Sequence, residues 1–141
     1  IVKYSKEGKM NTTFDLKEAI KEVTNPRYLN KTLSRVFQSI RIKVNDEIQN
    51  LNLFLENTLN YLKKGGRLAI ITFHSIEDSL VKNFFKANSI SCVCPPSFPI
   101  CNCNHKAKIK IIHRKGINPS SIEILNNSRS RSAKLRIAEC L

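Results

Sequence analysis

The stretch Gly65-Gly66-Arg67-Leu68-Ala69-Ile70-Ile71-Thr72-Phe73-His74-Ser75-Ile76-Glu77-Asp78 constrains the fold more than any other part of the chain. The paired glycines read as a tight turn. Arg67 to Phe73 is almost wholly apolar and β-branched, without the alternation of a half-exposed strand. A strand of that kind is expected to be covered on both faces, as in the middle of a parallel α/β sheet. The apolar run stops at His74, and Ser75-Ile-Glu-Asp78 has the spacing of a capping box that opens a helix. Ligands of open α/β sheets sit beyond the carboxyl ends of the strands. The expectation is an α/β protein with its candidate site at the rim formed by His74 to Asp78.

Upstream, Thr12 and Asp15 make a second capping box, and Leu16, Ala19, Ile20 and Val23 follow at helical spacing until Asn25-Pro26 ends the helix. From Lys31 to Leu62 an apolar stripe runs through Leu33, Val36, Phe37, Ile40, Val44, Ile48, Leu51 and Leu55. This is one long helix or two that meet near Lys43 to Asn45. Ser34, Gln38, Arg41, Asn45 and Gln49 form a polar stripe beside it. Such a stripe is either solvated surface or, at Arg41 and Asn45, the edge of a substrate cleft. Lys63-Lys64-Gly65-Gly66 closes the helix with cations at its negative end and a glycine cap.

Downstream, Leu80, Val81, Phe84 and Phe85 mark the buried side of a helix from about Ile76 to Ala87. Helix, strand and helix in succession form half of a doubly wound unit. Lys108-Ile109-Lys110-Ile111 alternates as a strand with one wet face, and Ala133 to Glu139 alternates again, with Leu135 and Ile137 opposite Lys134 and Arg136. Between them, Pro119-Ser120-Ser121-Ile-Glu123 opens a short helix ending at Asn126-Asn127, followed by a Ser/Arg loop at Ser128 to Ser132. The two strands are expected to pair at one edge of the sheet, where lysine and arginine oppose aggregation.

The 141 residues are enough for one domain or a domain and a half. The start at Ile1 suggests a piece of something longer. No run of 18 apolar residues occurs, so a cytoplasmic protein is expected. The net charge of +13, from 24 Lys and Arg against 11 Asp and Glu, exceeds what solubility asks of a domain this small. A polyanion, RNA or DNA rather than a membrane, accounts for it. A generally basic proteome would give the same scattered lysines.

Three groups could carry chemistry. Cys92, Cys94, Cys101 and Cys103, in the loop 92–105, could wrap a structural zinc with His105 in reserve, although C-x-C aims its sulfurs less readily than C-x-x-C. The other reading is a proline-stiffened loop of thiols. His74 is either bonded to a nearby carbonyl or placed beside a substrate. Arg129-Ser-Arg131-Ser is a compact cationic loop that suits phosphate contacts or is simply solvated. No glycine-rich cofactor loop, P-loop or Ser/His/Asp arrangement is present in the sequence.

Three blocks occur in order: Arg41-Ile-Lys-Val-Asn45-Asp46-Glu47-Ile48, then Gly65 to Asp78 with Val81-Lys82, then Asn127-Ser-Arg129-Ser130-Arg131-Ser132-Ala133-Lys134-Leu135-Arg136. Together they closely resemble the family of ribosomal RNA small subunit methyltransferase H. The resemblance implies a bacterial enzyme that uses S-adenosylmethionine to methylate N4 of a decoding-centre cytidine in 16S rRNA. It also implies a class I, Rossmann-like methyltransferase sheet with a helical substrate-recognition insertion. Residues 1–40 would be the end of that insertion and 41–141 the later part of the catalytic domain. The family's main cofactor motif precedes the region matched here, so the missing N-terminal half would be a partner and no cofactor-binding residue is expected in this chain. By position, Asn45 or Asp46 and His74 or Ser75 would lie near the amine, and Arg41, Arg129 and Arg131 on the RNA backbone. The competing readings are a non-enzymatic basic RNA-binding module and a zinc-stabilised ribosome-associated protein.

Overall fold

The computed structural model describes residues 1–95 and 103–141. The chain divides into two compact units, Ile1–Glu47 and Ile48–Leu141.

The first unit holds α1 (Val2–Lys6), α2 (Thr13–Lys21), a 3-10 turn (Pro26–Tyr28) and α3 (Leu29–Val44). Thr12 caps α2 as its sequence predicts. Its hydroxyl accepts from the Asp15 amide at 3.2 Å, and the Asp15 carboxylate accepts from the Thr12 amide at 2.7 Å. The Thr12 hydroxyl also donates to that carboxylate at 2.9 Å, and this bond is the largest cause of the Asp15 carboxyl lying below its ordinary pKa. Leu16, Ala19 and Ile20 are buried, and α2 packs on α3. Val23 lies beyond the end of the helix and is exposed, so it leaves the expected stripe. Of the two expectations for the long stripe, the break is the one realised. Helix α3 stops at Val44, and Asp46 takes a left-handed backbone with φ of 48°, which ends the helical path.

The second unit contains nearly all of α4 (Glu47–Tyr61), then β1 (Arg67–Thr72), α5 (Ser75–Ser89), β2 (Ile109–Ile111), α6 (Ser121–Asn126), a 3-10 turn (Ser128–Ser132) and β3 (Lys134–Cys140). Gly65 makes the turn into β1 with φ of 78°, and its N–H donates to the Cys140 carbonyl at 2.8 Å. The sheet order is β1-β3-β2, and both pairings are antiparallel, with Leu68 opposite Ala138 and Ile109 opposite Cys140. Leu55 of α4, Leu68, Val81 and Phe85 of α5, Ile109 and Ala138 form the core.

This is an α/β arrangement, and it corrects three expectations. Among the described residues the sheet is antiparallel, and β1 lies at its edge. Only one face of β1 is covered. Leu68 and Thr72 turn into the core, whereas Ala69 is exposed and Ile71 is 57% exposed, because α5 packs on one side of the sheet and no described element of this unit lies over the other. Finally, β3 is the central strand rather than an edge. Its buried positions are Arg136 and Ala138, one place out of phase with the apolar alternation read from Leu135 and Ile137. The arginine is inward because it has a carboxylate there.

Candidate functional site

Helix α5 begins where the sequence places the rim, but its cap is His74 rather than Ser75. The Nδ1 of His74 accepts the Glu77 amide at 3.3 Å. The Glu77 carboxylate in turn accepts the amides of Phe73 at 2.9 Å and His74 at 3.3 Å. An imidazole thus takes the place of the serine or threonine of an ordinary capping box. The ring is 9% exposed, with Nε2 at 3.3 Å from the other Glu77 oxygen. Ser75 is the first helical residue and is exposed. Acceptance at Nδ1 requires that nitrogen to be unprotonated, so the cap sets the tautomer.

One turn on, Asp78 receives Arg136 through a fork. Nε donates to Oδ1 at 2.6 Å and Nη2 to Oδ2 at 2.9 Å. Lys134 Nζ stands 3.8 Å from the same carboxylate. The Arg136 hydrogen bond is the main reason the Asp78 carboxyl lies below its ordinary pKa. Arg136 is 5% exposed, so this pair ties the start of α5 to the middle strand from inside. The sequence alone places Asp78 in the capping box that opens the helix and Arg136 on the wet face of an edge strand. The signal that could have joined them is a lone arginine on a strand facing a helix N-terminal carboxylate.

In the first unit, Arg41 and Asn45 both converge on Glu47. Arg41 Nε and Nη2 donate to its two oxygens at 2.8 and 3.1 Å, and Asn45 Nδ2 donates at 3.2 Å. Asp46 is exposed, with Lys43 Nζ at 3.6 Å. Glu47, which the sequence reading passed over, is therefore the residue that orients both. Asn45 and Asp46 belong to one compact unit and His74 and Ser75 to the other.

Cationic surface is built at two places in the second unit. The segment Ser128–Ser132 is a 3-10 turn rather than a loop, capped by Asn127, whose Oδ1 accepts the Arg129 amide at 3.2 Å. Ser130 points inward and donates to the Asn127 carbonyl at 2.8 Å, which leaves Arg129 and Arg131 outward. Among the described residues neither arginine has an ion-pair partner. Beside α5, a cleft of about 380 Å³ is lined by Lys82, Lys86, Arg114 and Arg136 around Phe85 and Ile111. Lys82, Lys86 and Arg114 are the charges it presents, since Arg136 is taken by Asp78.

The loop after α5 brings the sulfurs of Cys92, Cys94 and Cys103 together, each within 4.8 Å of the others. Cys101 lies outside the described residues. His105 is not part of the cluster; its Nε2 is buried and has no hydrogen-bond partner among the described residues.

The turn from β1 to α5 contains no glycine, and the amides of Phe73, His74 and Glu77 there are bonded to the side chains of Glu77 and His74.

The whole chain, residues 1–141, matches the model of the MraW methylase family. It is 43% identical to the ribosomal RNA small subunit methyltransferase H of Caldicellulosiruptor saccharolyticus over 99% of this chain and 46% of that protein. The protein of the same name from Finegoldia magna is 46% identical over 92% of this chain and 43% of its own length. That of Clostridium botulinum is 49% identical over 97% of this chain and 45% of its own length. The chain thus spans somewhat less than half the length of these relatives. A match that runs from the first residue to the last, at this level of identity, means that the chain belongs to the MraW methylase family.

Proposed function

We propose that this chain is part of an S-adenosylmethionine-dependent methyltransferase that modifies N4 of a decoding-centre cytidine in the 16S rRNA of the small ribosomal subunit, in the cytoplasm. The observation that carries the reading is the 43–49% identity, over nearly the whole chain, to proteins named ribosomal RNA small subunit methyltransferase H. The +13 charge and the two cationic surfaces support an RNA substrate.

In this reading the cofactor cradle belongs to the half of the relatives' length that this chain does not span. The outer edge of β1 would take a parallel neighbour from that half, completing a class I sheet, and the uncovered face of β1 would be packed by it as well. Residues 1–40 are then the end of a helical insertion that recognises the RNA, and 41–141 the later part of the catalytic domain.

The task of this chain is to hold the base and its backbone. The amine lone pair is delocalised into the cytosine ring, so an acceptor must hold an amine N–H in the geometry that frees it. Asn45 and Asp46, at the end of α3, and Ser75, exposed at the start of α5, are assigned to that acceptor role. His74 is a positioning residue, because its Nδ1 is used by the helix cap. Arg41, Arg129 and Arg131 are assigned to phosphates. Unstacking the cytidine costs roughly a few kcal/mol, which those contacts offset.

The test is complementation. The protein, in the longest form that its reading frame encodes, is expressed in a bacterial host deleted for its own family member, and 16S rRNA nucleosides are examined by mass spectrometry. Return of N4-methylated cytidine is expected; its absence, with soluble protein present, overturns the reading.

A further inference from the structure

We propose that Cys92, Cys94 and Cys103 bind a zinc ion as three thiolates, forming a metal clip at the neck of the loop between α5 and β2. The inference stands apart from the methyl-transfer reading, since it rests on the loop alone.

The connection from Ile90 to Lys108 is long for one that carries no helix or strand among its described residues. Its root is tied by backbone, with the Lys108 amide donating to the Asn88 carbonyl at 2.8 Å. Beyond that root apolar packing does little, for Val93 is 56% exposed. What gathers there is sulfur. Cys92 Sγ and Cys103 Sγ lie 3.8 Å apart. A disulfide would need about 2.05 Å. The edge of a tetrahedron with zinc–sulfur bonds of about 2.3 Å is about 3.8 Å. Cys94 completes the triangle within 4.8 Å, so closing all three on one ion takes a movement of about an ångström at most.

The backbone also holds the sulfurs in place. The Val93 amide donates to Cys103 Sγ at 3.5 Å and the Cys94 amide to Cys92 Sγ at 3.4 Å. These two bonds fix where the Cys92 and Cys103 sulfurs point. Asn104 follows Cys103 with φ of 49°, a left-handed turn that asparagine tolerates and that bends the chain back immediately after the ligand. The weakness expected of a C-x-C pair, that its two sulfurs diverge, is removed here because the Cys94 amide folds back on Cys92. Three soft sulfurs in tetrahedral spacing select zinc over magnesium or calcium. On binding, each thiol releases its proton to water, and a fourth ligand completes the coordination.

The protein is purified in the longest form that its reading frame encodes, under reducing conditions, and its metal content is measured by mass spectrometry. Stoichiometric zinc is expected, and replacement by cobalt(II) should give the intense visible bands of a sulfur-rich tetrahedral site. Cys92→Ser and Cys103→Ser should each weaken zinc binding by at least about 10-fold. Cys140→Ser, outside the cluster, should leave zinc content unchanged and so controls for general unfolding. Substoichiometric zinc after reconstitution overturns the proposal. So does zinc retained at full affinity in the Cys92→Ser/Cys103→Ser double variant, or a Cys92–Cys103 disulfide in protein mapped without exposure to oxidant.

Discussion

His74 holds the amide of Glu77 through Nδ1, and that single bond separates a structural role from a chemical one. Replacing it with alanine removes the cap and should cost about 1 kcal/mol in denaturant unfolding, whereas asparagine, a good cap, should recover most of the loss. Methylation should follow stability across the two variants; activity abolished in a His74→Asn protein of normal stability would mean that the imidazole itself meets the substrate. Asp78 and Arg136 make a stronger demand. Asp78→Asn leaves a buried guanidinium without its counter-charge and should cost on the order of 3 kcal/mol at neutral pH. The sign with pH follows from the lowered carboxyl. In the unfolded chain Asp78 titrates near about 3.9. In the fold it titrates lower, so its contribution is complete above about pH 4 and is lost as pH falls through the folded value. The stability difference between wild type and Asp78→Asn should shrink on acidification below about pH 4, measured by urea midpoints at several pH values. A difference that stays constant through that range would show that the ion pair is not its source.

At the scale of elements, the junction after α3 is the sharpest case. Asp46 occupies left-handed backbone, where glycine is comfortable and a β-branched residue is not. Asp46→Gly should keep or slightly raise stability, and Asp46→Val should lower it by about 1–2 kcal/mol in thermal or chemical unfolding. If the carboxylate also serves the substrate amine, Asp46→Gly will be stable yet lose methylation, a separation of the two readouts that a purely conformational role does not produce. Much at this scale was legible in sequence. The Thr12–Asp15 box, the apolar spacing of α2 and the serine before α6 are local signals, complete within a few residues. The cap of α5 was displaced by one residue because a histidine acting as an N-cap has no common sequence signature, and Ser75-Ile-Glu-Asp78 offered a conventional box beside it. The Cys94 amide bond to Cys92 was equally out of reach, since it depends on the torsions of one turn.

For the whole molecule, two measurements bear on how this chain meets its surroundings. Neutralising Arg129 and Arg131 together should reduce the slope of log K against log salt for binding to small-subunit rRNA by about 1 per arginine, read by fluorescence anisotropy. An unchanged slope would remove that turn from the interface. The uncovered face of β1 gives the second. In the 141-residue chain Ile71→Ala should change stability by no more than about 0.5 kcal/mol, while Phe85→Ala in the core should cost about 3–5 kcal/mol. In the longest form that the reading frame encodes, Ile71→Ala should cost about 2–5 kcal/mol if that face is covered there. Equal small effects in both forms would leave the face without an occupant. The sequence by itself determined helices α2, α5 and α6, the strand from Arg67, the cationic character and the family, because each is written in residue type and short-range spacing. Only the tertiary structure decided that β3 lies in the middle of the sheet and that Arg136 turns inward to Asp78. Those outcomes depend on which residues, distant in sequence, find one another once the chain has closed, and no local pattern carries that information.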